Sequence, residues 1–202
     1  MIRVLAGTNG AGKSSIGGAQ LRRIGADYYN PDEVARALLK SGVVAGLPEA
    51  NSLAWKRGVD ELKRAIIQHS DFTFETTLGG ATVTRLLSES ADSGLEVHIW
   101  YVALESADLH VERVRARVAE GGHDIPEGRI RERYDASRRN LIRLLPRLTS
   151  LRVFDNSAPP DPETGFVEPR LLLHTALGSI VHVAPDPLPA WVRPIVEAAR
   201  AS

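Results

Sequence analysis

Gly7, Gly12, Lys13 and Ser14 stand at the spacing G-x-x-x-x-G-K-[ST] within VLAGTNGAGKSSI. Glycines at such positions let the backbone bend so that successive N–H groups converge, and a helix N-terminus behind them adds positive potential. The run Gly7, Thr8, Asn9, Gly10, Ala11, Gly12, Lys13, Ser14 and Ser15 therefore reads as a cradle for phosphates. Lys13 would reach the β- and γ-phosphates of a nucleoside triphosphate, and the Ser14 hydroxyl is of the kind that ligates Mg²⁺. The alternative is a glycine-rich turn with an incidental lysine. A strand candidate, IRVLA, precedes the run and a helix candidate, Lys13 to Ile24, follows it, which is the context the phosphate reading requires. Nothing in the stretch reads the base, and ATP is the default donor.

Phosphoryl transfer needs an acceptor held in line, a carboxylate near the acceptor's proton and cations on the transferring group. Asp32 opens a helix beyond a short second strand, at the sheet edge where ligands of open α/β sheets bind. It is a candidate base, or else a first-turn acid that serves only the helix dipole. Glu75 ends a strand at the same edge, suited to the acceptor's hydroxyls, to the metal's water shell, or to capping the next helix. Thr76 and Thr77 are candidates for substrate contact or for that cap. Arg113, Arg117, Arg131 and Arg133 surround GGHDIP, the composition of a lid over a bound nucleotide. Their alternative is pairing with Glu112, Glu120, Glu127 or Glu132, and His123 serves either a phosphate or a helix end.

The elements that would position these groups alternate between strand and helix. Strand candidates are IRVLA, the DYYN segment, DFTFET, EVHIWYVAL and LRVFDNS. Helices are expected behind the loop, from Pro31 after an Asn30 cap, from Glu49 to His69, Ala81 to Ser93, Ala107 to Glu120 and Glu127 to Leu145. Such alternation predicts an α/β three-layer sandwich with helices on both faces of a mainly parallel five-stranded sheet. Residues 1–157 would be the core, with the lid at 107–140. Residues 158–202, a Pro-rich loop, a hairpin turning at Gly178 and Ser179 and a closing helix, would form an appendage on it.

Composition narrows the function. The 202 residues are 43% hydrophobic and 25% charged, with formal net charge zero, so no global field draws the chain to nucleic acid or anionic lipid. The absence of cysteine removes thiolate chemistry and fits a reducing compartment. No secretory leader or membrane span is read, so a cytoplasmic protein is expected. There is no LSGGQ-like signature, no N-K-x-D, no G-x-S-x-G elbow and no histidine pair at metal-ligand spacing.

The phosphate loop, NPDEVAR, FETTL, RVRARVAEGGHDIPEGRIRERY and RRNL, in this order, resemble the zeta-toxin family, in its short branch described as predicted ABC-type ATPases. The likeness spans about Ile2 to Ser157. It implies a P-loop kinase that uses ATP and Mg²⁺ to phosphorylate the 3′-hydroxyl of the amino sugar in UDP-N-acetylglucosamine. By motif position it implies Lys13 as the phosphate-loop lysine, Ser14 as metal ligand, Asp32 as general base and the sugar-contacting acid near Glu75. The phosphate-clamping arginines fall on Arg117 and Arg133, with Arg131 as rival. The resemblance leaves room for a partner antitoxin, of which the sequence shows no trace, and the segment from Ser41 to Trp55 matches none of the family's motifs. Three other readings remain open: a kinase of another small hydroxyl compound, an ATP-dependent nucleic-acid enzyme, and a nucleotide-binding switch without an acceptor.

Overall fold

The structure is a computed structural model that describes residues 1–18, 28–159, 163 and 167–202. Strand β1 (Ile2–Ala6) sends Ile2, Val4 and Ala6 into the main core and Leu5 to the opposite face, the period of two expected of a pleated strand. It lies between β2 (Phe72–Thr76) and β3 (Val97–Ala103), both parallel to it, and β4 (Ser150–Asp155) runs parallel beside β3. β3 buries Val97, Ile99, Tyr101 and Ala103 on one side and Val102 on the other, as a strand covered on both faces should. β5 (Arg170–Ala176) and β6 (Ser179–Val183) then add antiparallel, giving the order β2-β1-β3-β4-β5-β6.

The strand count differs from the expected five in two places. Among the described residues the DYYN segment contributes one isolated parallel bridge, Tyr29 to Phe74, and Asn30, the next residue, already caps the following helix. The C-terminal hairpin joins the sheet instead of lying over its edge, with Leu172 and Leu173 fully buried. Its turn is one residue earlier than expected: Leu177 and Gly178 have φ of 49° and 74°, the paired positive values of a type I′ turn.

Helix α1 (Pro31–Lys40) follows the Asn30 cap, and α2 (Leu47–Gln68) ends where His69 adopts the left-handed conformation. α3 (Ala81–Asp92), α4 (Ala107–Ala119) and α5 (Glu127–Leu144) lie within a residue of their expected bounds. α6 (Arg193–Ala201) is the closing helix, and Trp191 and Val192 enter the core ahead of it. Behind the phosphate loop, Ser14–Gly18 is a π-helical turn; the rest of the expected helix, the start of the DYYN segment and most of the Pro-rich loop lie outside the described residues.

One apolar cluster joins β1 to β5 with α2, α3, α5 and α6. A smaller one, Leu5, Ala11 and Val102, sits on the other face under the phosphate loop, and Val111, Val114, Ile125 and Ile130 hold α4 to α5. The architecture is a three-layer α/β sandwich with a mainly parallel sheet, a helical lid region and a C-terminal hairpin and helix. The lid helix is pinned to the sheet by Tyr101, whose hydroxyl donates to Ser137 Oγ at 3.0 Å and whose pKa burial pushes up to about 12. Among the described residues, no helix is long and apolar enough to cross a membrane.

Candidate active site

The loop after β1 is packed so tightly that its three glycines, Gly7, Gly10 and Gly12, admit no side chain. A Cβ on Gly7, whose φ is +140°, would stand 1.9 Å from the Val102 carbonyl oxygen, and one on Gly12 would stand 2.6 Å from Asn156 Nδ2. Asn156, just past β4, donates to the Ala11 carbonyl at 2.9 Å and so braces the loop from behind. His110 of α4 braces it from the side, with Nδ1 2.8 Å from the Asn9 carbonyl oxygen and Nε2 accepting from Leu104 N at 3.3 Å. Those two partners require a neutral ring protonated on Nδ1.

Burial lowers the His110 pKa to about 4, and Lys13, Arg113 and Arg138 push in the same direction. The folded value lies below the ordinary 6.5, so the unfolded chain binds a proton that the native ring refuses. His110 therefore contributes stability that is full above pH 6.5 and is lost as pH falls toward about 4. Urea unfolding across that window is expected to show a loss of roughly 3 kcal/mol in the wild type that His110→Gln lacks. Parallel pH profiles for the two proteins would overturn the assignment.

Lys13 is 7% exposed and sits with Glu75 at the centre of the site. Its Nζ is 3.5 Å from Glu75 Oε1 and donates to the Thr8 carbonyl at 3.4 Å. The other carboxylate oxygen, Oε2, accepts from Ser14 Oγ at 2.8 Å and from Asn30 Nδ2 at 3.3 Å. Glu75 reaches the loop because β2 pairs with β1 in the register Leu5 to Glu75. Asn30 has a second duty. Its Oδ1 accepts from the backbone of Asp32 at 2.9 Å and of Glu33 at 3.4 Å, capping α1. A single buried amide thus ties the helix that carries Asp32 to the carboxylate that faces the phosphate loop.

A cleft of ≈ 650 Å³ opens in front of these groups, and Asn9, Lys13, Asp32, Glu75, Thr76, Thr77 and Arg133 all line it. Thr76 Oγ1 accepts from Leu78 N at 3.1 Å, so its hydroxyl also shapes the turn after β2. Leu78 is fully buried with φ of 54°, and Asn140 Nδ2 holds its carbonyl at 2.9 Å. That turn brings Gly79 against Arg133, whose Cγ would be 2.9 Å from any Cβ there.

The arginines of the lid separate by position. Arg133 donates to Asn9 Oδ1 at 2.8 Å across the cleft, and burial lowers its pKa. Arg129, one helical turn earlier and absent from the expected set, lines the cleft with it. Arg131 points elsewhere, into Asp108 at 2.6 Å and Glu127 at 2.8 Å. Arg117 donates to the His123 carbonyl at 3.1 Å, and Arg113 to that of Ala158 at 3.1 Å; neither lines the cleft, whereas His123 does. His110 stands in none of the motifs, and Asn30 is legible in the sequence only as a cap, since their contacts with Asn9 and Glu75 are distant in sequence.

Comparison with known proteins agrees on the fold. No protein-family profile matches the chain. An uncharacterized protein of Haemophilus influenzae is 27% identical over 133 residues, 63% of this chain and 88% of that one. Among solved structures, a chain of the AvrRxo1-ORF1:AvrRxo1-ORF2 complex with sulphate ions is similar over 100% of this chain, at TM-score 0.66 and 18% identity. The ATP complex of the same pair gives 0.64 at 17% identity over 98% of this chain. A chain of the PezAT chromosomal toxin-antitoxin system of Streptococcus pneumoniae gives 0.53 at 12% identity, covering 83% of this chain and 70% of that one. This chain spans 65% and 63% of the two AvrRxo1 chains. It has a P-loop kinase-like fold, shared at low sequence identity with these proteins.

Proposed function

We propose that the protein is an ATP-dependent kinase that passes the γ-phosphoryl group to a hydroxyl of a nucleotide sugar, with the 3′-hydroxyl of UDP-N-acetylglucosamine as the first acceptor to test. The observation that carries this reading is that Lys13 and Asp32 line one cleft, with Arg133 and Glu75 between the same walls. The relative solved with ATP and the family resemblance of the motifs support the donor and the acceptor class.

In this reading Asp32 takes the proton of the acceptor hydroxyl as its oxygen bonds to the γ-phosphorus and the bond to the ADP oxygen breaks. Lys13 and Arg133 hold the charge that spreads over the transferring group, while Arg129 suits phosphates of the acceptor. For Mg²⁺ the donors present fit: Ser14 Oγ and a Glu75 oxygen lie 2.8 Å apart, a pair of hard oxygen ligands. Among the described residues no group of three or more His, Asp or Glu side chains could hold a metal ion, so phosphate and water oxygens would complete the shell. When bound, the ion would neutralise charge on the β- and γ-phosphates. Complexes of the fold relatives, AvrRxo1-ORF1 with ORF2 and the PezAT toxin-antitoxin pair, support a protein partner as well.

The nucleic-acid reading is disfavoured by the ion pairing of Arg115, Arg131 and Arg138 with acids on the lid helices. Purified protein, ATP, Mg²⁺ and UDP-N-acetylglucosamine should yield a sugar nucleotide heavier by one phosphoryl group. No mass gain on this acceptor, with ATP still bound, would overturn the acceptor assignment.

A further inference from the structure

Asn51, Trp55, Gly58, Val59 and Leu62 fall on one stripe of α2, and all of them line the cleft. The stripe changes character along its length. Val59 and Leu62 are buried in the main core, but Trp55, one turn before Val59, is 50% exposed. An apolar stripe marks what a helix expects to have covered, and here it continues past the point where protein covers it. Other exposed large apolar side chains, Ile67 and Leu177 among them, lie outside both described cavities.

The neighbours of Trp55 define what would fit. Tyr29 is committed to structure: its hydroxyl donates to the Ala54 carbonyl and its ring fills the space a Cβ on Gly58 would need. Beside it, Trp55 offers a flat apolar face. Asn51, one turn earlier, brings an amide that has no hydrogen-bond partner among the described residues and can both donate and accept. An indole face with an adjacent amide suits a planar ring with polar edges better than an alkyl chain, which would leave the amide unused. Arg129 and Arg133, suited to phosphate, line the same cleft.

We propose that Trp55 and Asn51 form the subsite for a nucleobase of the acceptor, Trp55 stacking on the ring and Asn51 bonding to its edge. The word acceptor rests on the kinase reading above; the base site itself does not. Neither Trp55 nor Asn51 falls in a motif that matches the zeta-toxin family.

The test uses the full chain with its phosphate loop saturated by a non-hydrolysable ATP analogue and Mg²⁺. UMP, CMP, AMP and GMP are titrated by calorimetry and by tryptophan fluorescence, with ribose 5-phosphate as the base-free control. Trp191 is buried and Trp100 lines the other cavity, so quenching by a cleft ligand reports on Trp55. At least one nucleotide is expected to bind and quench while ribose 5-phosphate does not. Trp55→Ala should weaken that nucleotide by at least about tenfold, the scale of one base–aromatic stack. Trp55→Phe should retain most of the affinity, and Asn51→Ala should flatten the preference among the four bases. Unchanged affinity of Trp55→Ala for the ATP analogue shows that the variant is folded.

Equal binding of ribose 5-phosphate and all four nucleotides, or equal nucleotide affinity in Trp55→Ala and wild type, would overturn the subsite. So would a dimer in light scattering that Trp55→Ala dissolves, because the face would then belong to a second copy. Failure of phosphoryl transfer with base binding intact would remove the kinase reading alone. Transfer to UDP-N-acetylglucosamine with an unchanged KM in Trp55→Ala would remove the subsite alone.

Discussion

Asp32→Asn is expected to lower kcat by about 10²- to 10⁴-fold, the range lost with a general base, while ATP affinity stays at the wild-type value. The substitution keeps shape and the backbone bond to Asn30 Oδ1, so the cleft is not remodelled. What it removes is a carboxylate that lines the same cleft as Asn9 and Lys13 of the phosphate loop. A competing role exists, because Asp32 and Glu33 share the first turn of α1 and both favour the helix dipole. The two roles separate cleanly. Glu33 does not line the cleft, so Glu33→Gln should leave kcat intact. Equal turnover for Asp32→Asn and the wild type would leave the protein a nucleotide-binding switch.

The features legible in the sequence are those with local causes. The glycines of the phosphate loop, the Asn30-Pro31 helix start and the apolar runs of β1 and β3 each answer to neighbours a few residues away. The site's wiring answers to pairing across the fold. Glu75 meets Ser14 only because β1 and β2 share a register, and Arg133 meets Asn9 across 124 positions. The lid arginines show where more was readable. Arg129 and Arg133 are four apart and share a helix face, while Arg131, two positions off, faces the other way toward Glu127, also four apart from it. Composition made the arginines look equivalent; helical phase distinguishes them. The bridge at Tyr29 illustrates the converse, a β-like sequence that the helix cap ends one residue later.

Lys13→Met should abolish transfer and destabilise the fold, and these losses should come apart in a second variant. The ammonium is the partner of Glu75 Oε1, with both side chains under one-tenth exposed, and Ser14 and Asn30 serve only Oε2. Deleting it leaves a buried carboxylate with one oxygen uncompensated, a change that costs about 3–5 kcal/mol in comparable buried pairs. For a chain of this size the thermal midpoint should drop by roughly 10 °C. Adding Glu75→Gln removes the stranded charge, so the double variant should recover most of that midpoint. Turnover should not return, because the cation that neutralises the transferring group is still missing, a loss of about 10³-fold in kcat/KM. Calorimetric midpoints and initial rates on wild type, both single variants and the double variant read the two effects independently. A Lys13→Met protein as stable as the wild type would mean that the pair is not a buried charge pair. Turnover restored by Glu75→Gln would instead make the lysine a structural counter-ion and move the phosphate contact to Arg133 and Arg129.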